Sequence, residues 1–136
     1  MGLQAAIDAI QDLMLTISAI REAPDEPPDT INVYPFAVCF ASSGAWTPQS
    51  AAWKKGLHTI TLQVHWARKD LARDVTKAMA LVETIPNLLC NNPTLAGTVD
   101  TIVYPLTYTF GALSWGGVDT IGFDFKIPVK IQSALS

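Results

Sequence analysis

The chain has 136 residues, of which 49% are hydrophobic and 15% are charged, and its formal net charge is −3. This length suits a single domain over residues 1–136. The charged fraction is below the roughly 25% of a typical soluble domain, which predicts spare apolar surface that partners cover. Adjacent lysine and arginine residues never exceed a pair, as in Lys54-Lys55 and Arg68-Lys69, which argues against nucleic-acid binding through a basic tract.

The first residues of the sequence do not have the pattern of a targeting signal. Asp8 and Asp12 interrupt the apolar positions, and no positively charged segment precedes them, so we expect no secretory signal. Ala6 occupies the position at which a myristoylation motif needs Ser or Thr. Since no apolar run approaches the ~20 residues of a membrane span, the sequence also predicts no membrane partner.

Apolar residues recur three or four positions apart over residues 3–21, which predicts an amphipathic first helix. Leu15 falls inside the polar stripe of this helix. It is either a singly exposed apolar residue or a contact to a neighbouring subunit. The apolar face consists of Leu3, Ile7, Ile10, Leu13, Met14, Ile17 and Ile20.

Three prolines in residues 23–30 end the helix and predict a stiff, extended connector. A strand is predicted over residues 31–42, because bulky residues share one face at period two. Pro35 cannot donate a ladder hydrogen bond, so this strand is expected at an edge or with a bulge. The residues of the shared face are Tyr34, Phe36, Val38 and Phe40.

Residues 43–56 are predicted to form a loop punctuated by Gly44, Pro48 and Gly56. At about 14 residues it is longer than most loops of compact domains, and such loops are often functional. Trp46 and Trp53 lie within it. They either fold back onto the core or contact a partner, since Trp is enriched in interface cores.

The second half of the chain predicts a strand, a helix and two further strands. Residues 57–67 alternate as a clean strand, Asp70 is a candidate N-cap, and Pro86 stops or kinks the helix that follows. The buried face of that helix is predicted to contain Leu71, Val75, Ala78, Met79, Val82 and Ile85.

A third strand is predicted over residues 99–110, a hairpin loop over 111–118, and then a fourth strand. Pro105 and Pro128 favour edges or bulges. The inner face of the fourth strand is predicted to contain Ile121, Phe123, Phe125, Ile127, Val129 and Ile131. These elements predict an α+β fold: a four-stranded, mainly antiparallel sheet with two helices packed on it, in the order α-β-β-α-β-β.

The sequence carries no recognised catalytic, phosphate-binding or metal-binding motif. His58 and His65 are seven residues apart on one strand, so they lie on opposite faces and cannot share a metal ion, and each is predicted to be structural and partly solvated. Cys39 and Cys90 are interpreted as two buried free thiols, with a disulfide as the alternative. We therefore expect no enzyme activity, no cofactor and no metal.

The segment over residues 92–100, NPTLAGTVD, lies between the second helix and the third strand. Together with the amphipathic N-terminal helix, the Gly-Gly hairpin and the strand that runs into VHWARKD at residues 64–70, it resembles the tail terminator proteins of long-tailed bacteriophages. Related forms are called tail completion or minor tail proteins. The shared turn has the form (D/N)PTL(A/G)G, and the resemblance covers nearly the whole chain in its order of elements.

This resemblance implies a structural virion protein of the tail and neck that is assembled in the host cytoplasm. Six copies would form a ring on the head-proximal end of the tail tube, stop tube polymerisation and dock to the head connector or neck protein. DNA would be only passing cargo, which a negative net charge suits. The candidate contacts to other subunits or partners are Trp46, Trp53, Trp115 and Leu15.

Three alternatives remain open on the sequence alone. One is another head-tail joining subunit, such as a head-closure or neck protein. The second is a ligand-binding α+β module whose pocket is lined by aromatic side chains. The third is a small enzyme with a titrating Cys or His in a cleft. The residues of the aromatic pocket would be Tyr34, Phe36, Trp66 and Tyr108.

Overall fold

The computed structural model describes residues 2–17, 20, 23, 34–67 and 71–134. Within these residues the chain forms two helices and six strands. The helices are α1 (Leu3–Leu15) and α2 (Leu71–Cys90). The strands are β1 (Phe36–Gly44), β2 (Thr47–Pro48), β3 (Trp53–Ala67), β4 (Thr101–Ile102), β5 (Thr107–Trp115) and β6 (Val118–Ala134).

All six strands belong to one sheet, and every pairing in it is antiparallel. β3 and β6 form the centre. β1 and β2 pair with the outer side of β3, and β5 and β4 pair with the outer side of β6. The α+β class is confirmed. The predicted count of four strands and the predicted order differ from the structure, because two short strands of two residues each add to the ladder.

The long strands β3 and β6 carry the core on the side that the helices cover, which we call the helix face. Their residues pair in register, for example Ile60 with Ile127 and Leu62 with Phe125. The alternation predicted for both strands is confirmed, and burial of such a side chain stabilises the fold by about 1.5–3 kcal/mol. The buried residues of the helix face are Ile60, Leu62, Val64 and Trp66 in β3 and Phe123, Phe125, Ile127, Val129 and Ile131 in β6.

Helix α1 packs against β1 and buries Ala6, Ile7, Ile10 and Met14. It ends at Leu15, earlier than predicted, and the Thr16 Oγ1 donates to the Leu13 carbonyl. Ile17 and Ile20 are still buried beyond the helix end, so the apolar pattern continues to describe the core after the helix has stopped.

Helix α2 runs through Pro86 to Cys90 rather than stopping at the proline. Ala78 and Ile85 are buried as predicted, whereas Met79 is 43% exposed. Asp70 and the proline-rich connector over residues 24–30 lie outside the described residues, as do the side chains of Leu71 and Val75.

Strand β1 is an edge strand with a bulge between Ala41 and Ser43, in agreement with the expectation from Pro35. Phe36, Val38 and Phe40 share a face as predicted. These three residues lie on the face of the sheet opposite the helices, which we call the second face. The residues that alternate with them lie on the helix face, since Cys39 pairs with Leu62. Phe36 and Val38 are nonetheless fully buried, so the sheet buries side chains on both of its faces at this end.

The predicted hairpin loop over residues 111–118 is wrong, because most of it is strand. β5 continues to Trp115, and the turn itself consists of Gly116 and Gly117, whose φ angles are 58° and 78°. Two consecutive residues with positive φ are what a tight two-residue hairpin requires. Pro128 also lies in a central strand rather than at an edge. It sits where pairing of β6 with β5 ends at Lys126 and pairing with β4 begins at Val129.

The segment after α2 is a compact turn. Leu95, Ala96 and Gly97 all have positive φ angles, of 47°, 60° and 81°. Leu95 is fully buried and packs in the core. The turn is closed by the Ile102 amide, which donates to the Pro93 carbonyl over 2.8 Å.

Candidate assembly surface

Large apolar side chains are exposed on several elements of the molecule. Leu15 on α1 is 53% exposed, Trp53 at the start of β3 is 47% exposed, and Tyr108 on β5 is 50% exposed. Single exposed apolar residues are ordinary, but groups of them mark contacts with partners. The remaining members are Leu57, Met79, Tyr104, Phe110 and Val118.

The clearest group lies on β5, at one edge of the sheet. Phe110 packs on Phe123 with ring centroids 4.9 Å apart, and Tyr108 packs on Phe125 at 5.9 Å. The buried phenyl rings of β6 therefore fix a row of half-exposed aromatic rings on the helix face of the edge strand. Among the described residues β5 pairs only with β6, so no described strand pairs with the outward backbone N–H and C=O groups of residues 107–114.

Within the part of the chain that the structure describes, this edge has none of the usual protections against pairing. No charged residue occurs between Asp100 and Asp119, and β5 contains no proline. Its register with β6 runs without a bulge from Thr107 to Trp115. Natural sheets normally protect such edges with charges, prolines, bulges or a covering element.

The opposite edge, formed by β1, is protected. The buried Gln11 of α1 reaches it, and its Nε2 donates to the Ala37 carbonyl over 3.3 Å. The bulge near Ser42 interrupts the ladder, and the Ser42 hydroxyl donates to the Thr59 carbonyl of β3 over 3.1 Å. The two edges of the sheet therefore differ in their readiness to accept a further strand.

A polar network crosses the second face between β3 and β6. The Gln63 Nε2 donates to the Asp124 carboxylate over 3.3 Å, and the Gln63 Oε1 lies 3.0 Å from the His65 Nε2. The His65 Nδ1 lies 2.6 Å from the Thr120 hydroxyl. Lys126 completes the network with an ion pair of 3.1 Å to Asp124. All of these side chains interact within the network, although the Asp124 Oδ1 that faces the Lys126 ammonium accepts no hydrogen bond among the described residues.

Burial lowers the pKa of His65 to about 4, although the Asp124 carboxylate opposes the shift. Trp115 covers this end of the network, with its ring 6.0 Å from His65 and 6.2 Å from Phe40. His65 is fully buried, so the prediction of a partly solvated histidine was wrong here. The His65 ring is therefore neutral at physiological pH, and the network links β3 to β6 on the second face.

The other histidine lies on the helix face, as period two predicted, and is also buried. The ring centroids of His58 and Trp46 are 4.3 Å apart, and the Lys54 ammonium lies 4.6 Å from the centroid of the Trp46 ring. Burial, and secondarily Lys54, lowers the pKa of His58. A Cβ on Gly44 would come within 2.1 Å of the His58 Nδ1, so the glycine is needed for the imidazole to fit.

The four candidate contact residues fall into two classes. Leu15 and Trp53 are about half exposed. Trp46 and Trp115 are partly buried and make the ring contacts described above within the chain. The structure does not bring the four together on one surface patch among the described contacts. The β5 edge was missed because Gly111 and Ala112 favoured a loop, although the long uncharged run was visible in the sequence.

The two cysteines are both free, but only Cys39 is buried, and Cys90 is exposed. Burial raises the pKa of the Cys39 thiol well above its ordinary range, so it stays protonated. Cys39 lies on the helix face and His65 on the second face of the sheet, so these two residues do not form a nucleophile and base pair.

The aromatic residues proposed to line a pocket do not converge. Trp66 and Tyr108 lie on the helix face, where both contact Phe123, whereas Phe36 lies on the second face. A cavity of about 230 Å³ lies between α1 and the turn that contains Leu95. A second one of about 330 Å³ lies beside β2 and is lined by Lys55. None of the four aromatic residues lines either cavity.

No protein-family model matches this chain, and no curated protein is significantly similar to it. Neither helix, as far as it is described, is long and apolar enough to cross a membrane. Residues 2–17, 20, 23, 34–67 and 71–134 contain no group of three or more His, Cys, Asp or Glu side chains that could hold a metal ion.

Proposed function

We propose that the chain is a structural virion protein that caps the head-proximal end of a phage tail tube. Six copies form a ring there, stop tube polymerisation and dock the tail to the head connector. The proposal starts from the resemblance carried by the NPTLAGTVD turn and the order of elements. The α+β class agrees with the fold that this resemblance implies.

The observation that carries the proposal is the spread of exposed apolar side chains over separate elements. Leu15 on α1, Trp53 on β3 and Tyr108 on β5 are each about half exposed. Only 15% of the residues are charged. A subunit enclosed by neighbours in a ring and by partners above and below needs apolar contacts on several sides, whereas a monomeric binding module needs them in one pocket.

In this proposal, tube polymerisation stops because the two faces of the ring differ. A ring subunit that accepts the last tube ring on one face and lacks a matching surface on the other ends a heterologous stacking series. We expect Trp53 and Leu15 to make the subunit or partner contacts, since both side chains project from the surface. Trp46 and Trp115 instead make ring contacts within the chain, to His58 and Phe40 respectively.

A second head-tail joining role, in head closure or the neck, uses the same kind of surface and remains the main alternative. The ligand-binding module is disfavoured because Trp66 and Tyr108 lie on the helix face of the sheet whereas Phe36 lies on the second face. For an enzyme, both histidines are buried in structural contacts and burial keeps the Cys39 thiol protonated, so Cys39 and His65 do not form an activated pair.

The test is a capping assay with purified tail tubes. Wild-type protein is expected to bind one end of each tube and to prevent further addition of tube protein. Trp53→Ala should weaken binding by more than about 1 kcal/mol, or at least about fivefold, if Trp53 is an anchor. Gln49→Ala, an exposed change in the same segment, is the matched control and should bind like wild type.

The two outcomes separate clearly. A protein that neither binds the tube end nor changes tube length would overturn the proposal. Capping that survives Trp53→Ala would retain the proposal and remove Trp53 from the contact surface. The mass bound per tube end should approach about 88 kDa, six times the 14.7 kDa of the chain, the ring size that the resemblance implies.

A further inference from the structure

We propose that the free edge of β5 pairs with the same edge of a second copy, antiparallel and centred on Gly111, to form a two-fold symmetric dimer. The inference rests on the β5 edge alone and does not depend on the capping function. It describes the free chain. A strand of a tube or connector protein docked on β5 would compete with it.

The first argument is the contrast between the two edges of the sheet. The β1 edge is covered by α1 through Gln11 and is broken by a bulge. The β5 edge has nine residues in unbroken register with β6 and has no pairing on its other side among the described residues. An exposed, regular and uncharged edge is the arrangement that accepts another strand.

The second argument is charge. In a two-fold interface each residue meets its own counterpart or that of a near neighbour, so any charged side chain near the axis faces a like charge. The run between Asp100 and Asp119 contains no charged residue. The edge is therefore free of the repulsion that usually prevents a strand from pairing with itself.

The third argument is size complementarity. Gly111 is the midpoint of β5, and pairing about it aligns all nine residues of Thr107–Trp115 with their counterparts. On the helix face Phe110 then lies opposite Ala112 of the second copy, and Tyr108 lies opposite Ser114. Each large ring meets a small side chain, and the rings are already held in place by Phe123 and Phe125.

The axis position is also open. A Cβ added at Gly111 would meet no atom within 4 Å in the chain itself. The two backbones can therefore approach at the normal strand spacing of about 4.8 Å, and a small side chain can be introduced at the axis without disturbing the subunit. This opening makes Gly111 the natural place to test the register.

The experiment is disulfide trapping in a Cys90→Ser background, because Cys90 is the exposed native thiol and Cys39 is buried. Gly111→Cys places two thiols opposite one another, with Cα atoms about 4.5–5.5 Å apart, which is within the range of a disulfide. Thr109→Cys is the matched control. Its two Cα atoms would be about 14 Å apart along the strands, beyond the reach of a disulfide.

With oxidised glutathione as the oxidant, the Gly111→Cys chain should run as a dimer on a non-reducing gel and the Thr109→Cys chain as a monomer. Equal trapping of both variants, or trapping of neither, would overturn the proposal. Capping of tail tubes is assayed separately, so failure of the proposed function and failure of this contact give different results.

A second variant guards against misfolding of the first. Gly111→Lys should place two ammonium groups at the axis and convert a dimer of about 29 kDa, twice 14.7 kDa, into a folded monomer. Light scattering gives the mass, and far-UV circular dichroism shows whether the fold is kept. A wild-type chain that stays monomeric at high concentration, or a Gly111→Lys chain that stays folded and dimeric, would refute the pairing.

Discussion

Replacing Ala96 by glycine should stabilise the protein, although the same replacement usually destabilises. Ala96 has a φ of 60° in the turn after α2, between Leu95 at 47° and Gly97 at 81°. An L-residue in this left-handed region costs about 1–2 kcal/mol relative to a right-handed one, and glycine adopts it without that cost. The Ala96 side chain is exposed, so little burial is lost with its methyl group.

The net gain is smaller than the relief of strain. Glycine also makes the unfolded chain more flexible, which lowers stability by about 0.4–1 kcal/mol. The difference leaves an expected gain of about 0.5–1 kcal/mol in the free energy of unfolding. The turn should keep its shape, because the Val99 amide donates to the Thr94 carbonyl and the Thr98 hydroxyl donates to the Leu95 carbonyl.

Urea unfolding followed by tryptophan fluorescence measures the effect as a shift in the midpoint at constant slope. Ala80→Gly is the matched control, because Ala80 is exposed in the interior of α2. There the same chemical change should cost about 1 kcal/mol. The two variants should therefore move the midpoint in opposite directions. A loss of stability in Ala96→Gly equal to that in Ala80→Gly would refute the assignment of a left-handed backbone to this turn.

Two further predictions concern the sheet. His65 binds a proton near pH 6.5 when unfolded and near pH 4 when folded, so the stability that its neutral form confers is complete above pH 6.5 and is lost as the pH falls from 6.5 to 4. The loss is up to about 3 kcal/mol before solvent screening, and we expect about half of that. His65→Gln should lose correspondingly less stability between pH 7 and pH 4 in urea unfolding, and an unchanged pH dependence would contradict the shift. Gly122→Ala would place a Cβ 1.8 Å from the Val64 carbonyl oxygen, which should force β3 and β6 apart and cost about 1–3 kcal/mol. A Cβ at Gly111 would meet no neighbouring atom, so Gly111→Ala should leave the urea midpoint nearly unchanged at concentrations where the chain is monomeric. Equal losses of stability in Gly122→Ala and Gly111→Ala would refute this interpretation of the sheet.

The sequence predicted those parts of the fold in which one hydrophobic period governs one element. Ile60 to Trp66 and Phe123 to Ile131 alternate without interruption, and both strands were recovered with the correct inward face. The burial of Gln11 was not predicted from the sequence. In the structure Gln11 is buried and its Nε2 donates to the Ala37 carbonyl. This contact joins residues that are far apart in the sequence, so a local hydrophobic pattern does not predict it.

The candidate surface was harder to predict because its residues do not show their role in isolation. Exposure of Leu15 followed from its place in the polar stripe. The sequence did not distinguish the partly buried Trp46 and Trp115 from the exposed Trp53. The ring partners of the first two, His58 and Phe40, come near them only when the strands pair. Gly111 and Ala112 were predicted to lie in the hairpin loop, whereas the structure places both in β5.

The uncharged run around β5 connects the two proposals through one physical requirement. A subunit that assembles only at a tube end must remain soluble before it gets there, yet its contact surfaces must be apolar enough to bind. An unprotected edge in a chain with 15% charged residues is an aggregation hazard unless something occupies it. Two-fold pairing satisfies that edge with a closed interface, because an isologous contact cannot propagate into a fibre, whereas a heterologous contact through the same edge could.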